Sequence, residues 1–160
     1  MEAKGSRVPP REVAPLLCLY DDCTVHSEHK RIFKTECDTL AYRLSGRAMM
    51  WSERGNFFED KVARVVIYFG HASREGICGD SYERIFEHMN YLASDHQAGS
   101  PIFHFFCLWD DKQPPSVELC AKLKESFNVI LSTYSSKDLS KRLKQQGEVE
   151  AMVNEYIAKQ

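Results

Sequence analysis

Two stretches constrain the fold of this chain more than any others: VARVVIYF at 62–69 and IFHFFCLW at 102–109 are almost uninterruptedly apolar, with β-branched and aromatic residues dominating. A run this short without polar alternation fits a strand covered on both faces. Around such runs lie stretches whose apolar residues recur at helical spacing, the signature of βαβ units about a parallel sheet. Five strands are expected. Residues 16–20 (LLCLY) form the first, and a helix from about Ser27 follows, with Ile32, Phe33, Cys37, Leu40, Ala41 and Leu44 on one face and Gly46 as its stop. Residues 47–51 read as a short second strand, 52–56 as a turn, and 57–61 as a stub of one helical turn ahead of the third strand.

The later half repeats the pattern. Asp80-Ser81-Tyr82-Glu83 is a capping pattern in which Asp80 would accept from the first-turn amides, and the helix it opens runs to about Asp95. Ile85, Phe86, Met89, Leu92 and Ala93 form its buried stripe. Gly99-Ser100-Pro101 breaks the chain before the fourth strand. Ser116 then caps a helix carrying Val117, Cys120, Leu123 and Phe127, residues 128–134 form the last strand, and Ser135-Ser136 opens a final helix that Gly147 kinks or breaks.

A chain of 160 residues can bury one core without staples, so a single domain at 16–160 is expected behind a mobile tail at 1–15. That tail, MEAKGSRVPPREVAP, has neither a signal peptide's apolar centre nor the length to cross a bilayer, and no direct membrane insertion is expected. A net charge of -2 lacks the clustered Lys and Arg that displace phosphate counterions, which excludes nucleic acid as the expected partner. Six cysteines at 18, 23, 37, 78, 107 and 120, without a repeated C-x-x-C, read as reduced thiols packed as small hydrophobes, and so as a cytoplasmic protein.

Several constellations invite chemistry. His71 follows one interior strand and Cys107 lies in the next, so parallel pairing could bring imidazole and thiol together; Gly70-His71-Ala72 and Phe106-Cys107-Leu108 loosely resemble the two catalytic strand ends of caspase-like proteases. Against this, Cys107 precedes Leu108-Trp109 rather than a small flexible residue, and a buried structural cysteine is the preferred reading. Cys23, His26 and His29 have a spacing that could seat three metal ligands on one helical turn, yet no fourth ligand is evident, and no metal or other cofactor is expected. His104 reads as a hydrogen-bonded core or edge histidine. Glu83 and Glu87, one turn apart, are similar in placement to a glutamate of NAD-cleaving TIR proteins, but no Gly-rich loop follows the first strand, where Tyr20-Asp21-Asp22-Cys23 stands. Lys137, Lys141, Arg142 and Lys144 give the last helix a basic face that reads as solvation.

In order, Leu17-Cys18-Leu19-Tyr20-Asp21-Asp22, Met50-Trp51-Ser52-Glu53-Arg54, Val65-Val66-Ile67-Tyr68-Phe69, Gly79-Asp80 entering a helix, Phe105-Phe106-Cys107-Leu108-Trp109, Pro114-Pro115 and Ser136-Lys137-Asp138-Leu139 resemble a SEFIR domain over residues 16–146. That family is the TIR-related signalling module of interleukin-17 receptor tails and their cytoplasmic adaptor. The resemblance implies a flavodoxin-like, TIR-related three-layer fold with a central five-stranded parallel sheet in order 2-1-3-4-5. It also implies a non-enzymatic module of innate immune signal transduction, joining receptor tail and adaptor through SEFIR–SEFIR contacts or pairing with its own copy. The family's recurrent binding helix maps here onto the outward face of the helix after Asp80: Glu83, Arg84, Glu87, His88, Asn90 and Tyr91. The chain departs from the family in its shorter segment 52–61 and its compact loop 72–79.

Overall fold

A computed structural model describes residues 12–23, 27–92, 101–109, 116–127, 129–138, 141 and 146–159. Strands β1 (Glu12–Tyr20), β2 (Arg47–Met50), β3 (Lys61–Ala72), β4 (Ile102–Trp109) and β5 (Val129–Tyr134) make one sheet. Helices α1 (Ser27–Arg43), α2 (Arg54–Phe58), α3 (Tyr82–Leu92), α4 (Val117–Phe127) and α5 (Gln146–Ala158) connect and cover them. Every neighbouring pair is parallel, and the order across the sheet is β2-β1-β3-β4-β5. This is the α/β, flavodoxin-like three-layer arrangement.

Side-chain alternation divides the core into two. Leu16, Cys18, Tyr20, Val65, Ile67, Phe69, Phe106 and Leu108 face α1 and α5, which contribute Phe33, Cys37, Leu40, Val149 and Val153. Leu17, Leu19, Val66, Tyr68, Phe103, Phe105 and Cys107 face the other way, under Phe57 and Phe58 of α2, Ile85, Phe86 and Met89 of α3, and Leu123 of α4. Each such side chain contributes roughly 1.5–3 kcal/mol by leaving water. The surface ion pairs Lys34–Asp38 and Arg43–Glu150 are screened by solvent and add little, so packing of the two faces dominates the fold.

The differences from expectation have local causes. β1 begins at Glu12, not at residue 16, because Glu12, Val13 and Ala14 pair with Lys61, Val62 and Ala63. Pro15 is tolerated inside it because β2 pairs only from Leu17 onward, leaving β1 an open edge at that height. The segment expected as turn then stub is a 3-10 turn at Trp51–Glu53 running straight into α2, since both Phe57 and Phe58 must reach the core. Ser81, not Asp80, caps α3: the Arg84 N–H donates to Ser81 Oγ at 3.3 Å, while Asp80 pairs with Ile77 in a two-residue antiparallel ladder. Ser116 caps α4 as expected, accepting from the Leu119 N–H at 3.1 Å. Val117, expected on its apolar face, is 85% exposed, because Leu119 and Leu123 already supply the stripe that faces the sheet. A 3-10 turn follows β5 at Ser136–Asp138, and α5 begins at Gln146, beside the Gly147 at which a kink or break was expected. The expected end of α3 near Asp95 lies outside the described residues.

Candidate functional site

The β1 to β2 connection leaves through α1 on one face and the β3 to β4 connection through α3 on the other. They diverge at the carboxyl ends of β1 and β3, the switch point of a sheet of this order. The ladder continues one step past Tyr20, with the Asp21 N–H donating to the Phe69 carbonyl at 3.0 Å, and this turns the Asp21 side chain inward.

Asp21 is 2% exposed, and each of its two oxygens accepts at least one hydrogen bond. Oδ2 accepts from the His71 backbone N–H at 3.0 Å and lies 3.2 Å from His71 Nδ1; Oδ1 accepts from the Cys23 N–H at 2.7 Å. Burial pushes the Asp21 carboxyl upward and is the largest single influence, but the His71 ring, the His71 amide and the Cys23 amide together outweigh it and hold the carboxyl below its ordinary value. A carboxylate only accepts, so Nδ1 of His71 carries the proton, and its Nε2 meets Nδ1 of His29 at 3.1 Å. The Phe33 ring stands edge-on to His71, with centroids 5.3 Å apart. Asp21, His71 and His29 thus form a hydrogen-bonded chain from the sheet edge to the first turn of α1. The nitrogen of His71 that would serve as a base is the one facing His29.

Gly70 makes this possible. A Cβ there would fall 2.3 Å from Tyr68 Oη and 2.4 Å from Asp21 Cβ, so no larger residue fits between the buried phenol and the carboxylate. Tyr68 in turn donates to the His71 carbonyl at 3.0 Å.

Beside Asp21 the sulfurs of Cys23 and Cys78 are bonded to each other, with Cα atoms 6.0 Å apart. This corrects the expectation of six reduced thiols; Cys18, Cys37, Cys107 and Cys120 are unpaired. Cys78 sits with Gly79 at the tip of the ladder between Gly76–Ile77 and Asp80–Ser81, at φ values of 52° and 86°. Two central residues with positive φ define a type I′ turn, which favours Asn or Gly where this chain has cysteine. Of the Cys23, His26 and His29 spacing, from which no metal was expected, His29 faces His71, His26 lies outside the described residues, and Cys23 lies beside Asp21 and Cys78.

The structure separates His71 from Cys107. Gly70 pairs with Cys107 and His71 with Leu108, so alternation sends the imidazole to the α1 face and the thiol to the α3 face. Cys107 is completely buried, and burial pushes its thiol well above the ordinary value. This pair cannot meet across the sheet. His104 is a buried, doubly engaged histidine, with Nε2 2.7 Å from Ser132 Oγ and Nδ1 3.1 Å from the Tyr156 hydroxyl. Lys137 and Lys141 are exposed, whereas Arg142 and Lys144 lie outside the described residues.

On α3, Glu83, Arg84, Glu87, His88 and Tyr91 are exposed and Asn90 half-buried, opposite the buried Tyr82, Ile85, Phe86 and Met89. Glu83 is engaged within the chain: Lys122 of α4 donates to it at 2.6 Å and holds its carboxyl below the ordinary value. A groove of 640 Å³ runs along this helix, lined by Arg54, Asp80, Arg84, Glu87, His88 and Tyr91. The Arg54 guanidinium lies 4.0 Å above the Trp51 ring, and its Nε is buried without a hydrogen-bond partner among the described residues. Sequence reasoning found the helix face but missed Arg54 as a lining residue, and it missed Asp21 and Cys78 altogether.

The sheet order and the polar cluster at its switch point define a flavodoxin-like α/β protein. No family model matches the chain, and no curated protein matches it. Among the described residues no helix is long and apolar enough to cross a membrane.

Proposed function

We propose that this protein is a non-enzymatic signalling module of the SEFIR type, assembling interleukin-17-type receptor tails with an adaptor through contacts between like domains in the cytoplasm. The observation that carries the reading is the division of α3. Its inner stripe is spent on the core, while Arg84, Glu87, His88 and a Tyr91 that is 77% exposed stand outward beside a groove. An exposed aromatic among charges of both signs suits a partner surface, where the ring supplies contact area and the charges set register and partner choice. In a reducing compartment the exposed Cys23–Cys78 pair would stand as two thiols.

The test is direct binding of the purified chain to a purified SEFIR-domain receptor tail. Glu87→Lys and Arg84→Glu should each lower capture about tenfold, the equivalent of roughly 1.4 kcal/mol. Unfolding midpoints should not move. Glu83→Lys is a poorer probe because it also breaks the Lys122 pair. Unchanged capture by both variants would remove α3 as the partner surface.

A further inference from the structure

We infer that, once the Cys23–Cys78 bond is reduced, the two sulfurs and Asp21 Oδ1 form a site for one zinc ion at the carboxyl ends of β1 and β3. One ligand atom from each of these residues lies within 4.8 Å of the others, and Cys78 Sγ is 3.9 Å from Asp21 Oδ1. A tetrahedral zinc with Zn–S of about 2.3 Å and Zn–O of about 2.0 Å needs sulfur and oxygen about 3.5 Å apart and the two sulfurs about 3.8 Å apart. The carboxylate therefore already stands near its ligand position, and opening the disulfide moves the sulfurs toward theirs.

The surroundings favour a metal over two bare thiols. His71 occupies Oδ2 through both its amide and its ring, which leaves Oδ1 turned toward the sulfurs. His71 is itself braced by His29, an arrangement that fixes the orientation of a ligating carboxylate from behind. Deprotonating both thiols beside an ionised Asp21 would gather three negative charges, which a divalent cation offsets. Two thiolates and a carboxylate are a borderline-soft set that suits zinc better than magnesium or calcium. Three ligands from the chain leave the fourth position for water. Both cysteines are exposed, so reductant and metal can reach them.

The conversion balances with a dithiol reductant. Its thiolate attacks one sulfur, the Cys23–Cys78 bond breaks, the second reductant thiol resolves the mixed disulfide, and the reductant leaves as its own disulfide with Cys23 and Cys78 as thiols. Zinc binding then displaces both thiol protons to solvent. Oxidised protein and zinc-loaded protein are mutually exclusive states of one site. The inference holds whether or not α3 binds a receptor tail.

Cobalt titration of the reduced full chain, freed of reductant under anaerobic conditions, tests it. One equivalent should produce a thiolate-to-cobalt charge-transfer band that zinc abolishes, and the oxidised chain should give none. Cys23→Ser and Cys78→Ser should each remove the band, Asp21→Asn should weaken cobalt binding at least about tenfold, and Cys120→Ser should leave it unchanged. Because a variant could fold poorly, zinc protection of the unaltered protein is measured as well: zinc should slow alkylation of Cys23 and Cys78 at least about tenfold while Cys120 is labelled at the same rate. A reduced protein with no band and no protection, or a band that survives both serine substitutions, overturns the site.

Discussion

Replacing Asp21 by Asn tests the hydrogen-bond arithmetic at the sheet edge. The carboxylate accepts from three donors, two on Oδ2 and one on Oδ1. An asparagine oxygen can keep the two from His71, but its NH2 then faces the Cys23 N–H, donor against donor. Hydrogen bonds to a charged group contribute about 1.5–3 kcal/mol each and neutral ones about 0.5–1.5. The change therefore weakens two bonds by about 1 kcal/mol apiece and removes a third. Relief from burying a charge offsets part of this, leaving a net loss of about 2–3 kcal/mol. The assay is urea unfolding of both proteins at pH 7. The pH dependence carries the sign: a carboxyl held below its unfolded value of about 3.9 stabilises the fold fully above that pH, and the contribution is lost as pH falls through the folded value. The gap between the two proteins should be open at pH 7 and should close below about pH 4. Were burial to prevail over the three donors, ionisation would oppose folding and Asp21→Asn would be neutral or stabilising at pH 7. A loss under about 0.5 kcal/mol refutes the reasoning.

Two further outcomes are expected. Gly70→Ala should destabilise by about 1–3 kcal/mol in urea unfolding, because its Cβ would meet Tyr68 Oη and Asp21 Cβ; a change near zero would mean that these neighbours yield freely. In the folded protein Cys107 should alkylate at least about a hundredfold more slowly than Cys120, and His71→Ala should not alter the Cys107 rate, since the two side chains occupy opposite faces of the sheet. Rapid labelling of Cys107 that depends on His71 would restore the cysteine-protease reading.

Most of the architecture was legible because burial on both faces leaves a plain record. The 102–109 run coincides with β4, and the α3 stripe emerged from helical spacing alone. What escaped was whatever depends on register or on distant pairing. Whether His71 can meet Cys107 turns on a single residue of offset between β3 and β4, and apolar runs do not encode that offset. Cys23 and Cys78 are separated by 55 positions, and their pairing follows only from the hairpin that folds Cys78 back over β1. Asp21 belongs to an acidic pair at the end of a strand, and such pairs are commonplace. Its significance appears only when the sheet order puts the end of β1 at the switch point. In α4 the pattern misled, because Val117 fits an apolar period that Leu119 and Leu123 already satisfy.

The outer face of α3 is the proposed partner surface. Amide chemical-shift mapping of the labelled chain, as an unlabelled SEFIR-domain receptor tail is added, examines that face residue by residue. Shifts concentrated at Arg84, Glu87, His88 and Tyr91, with β4 silent, are the expected result. A saturating interaction that leaves those four unmoved and perturbs another surface would contradict it.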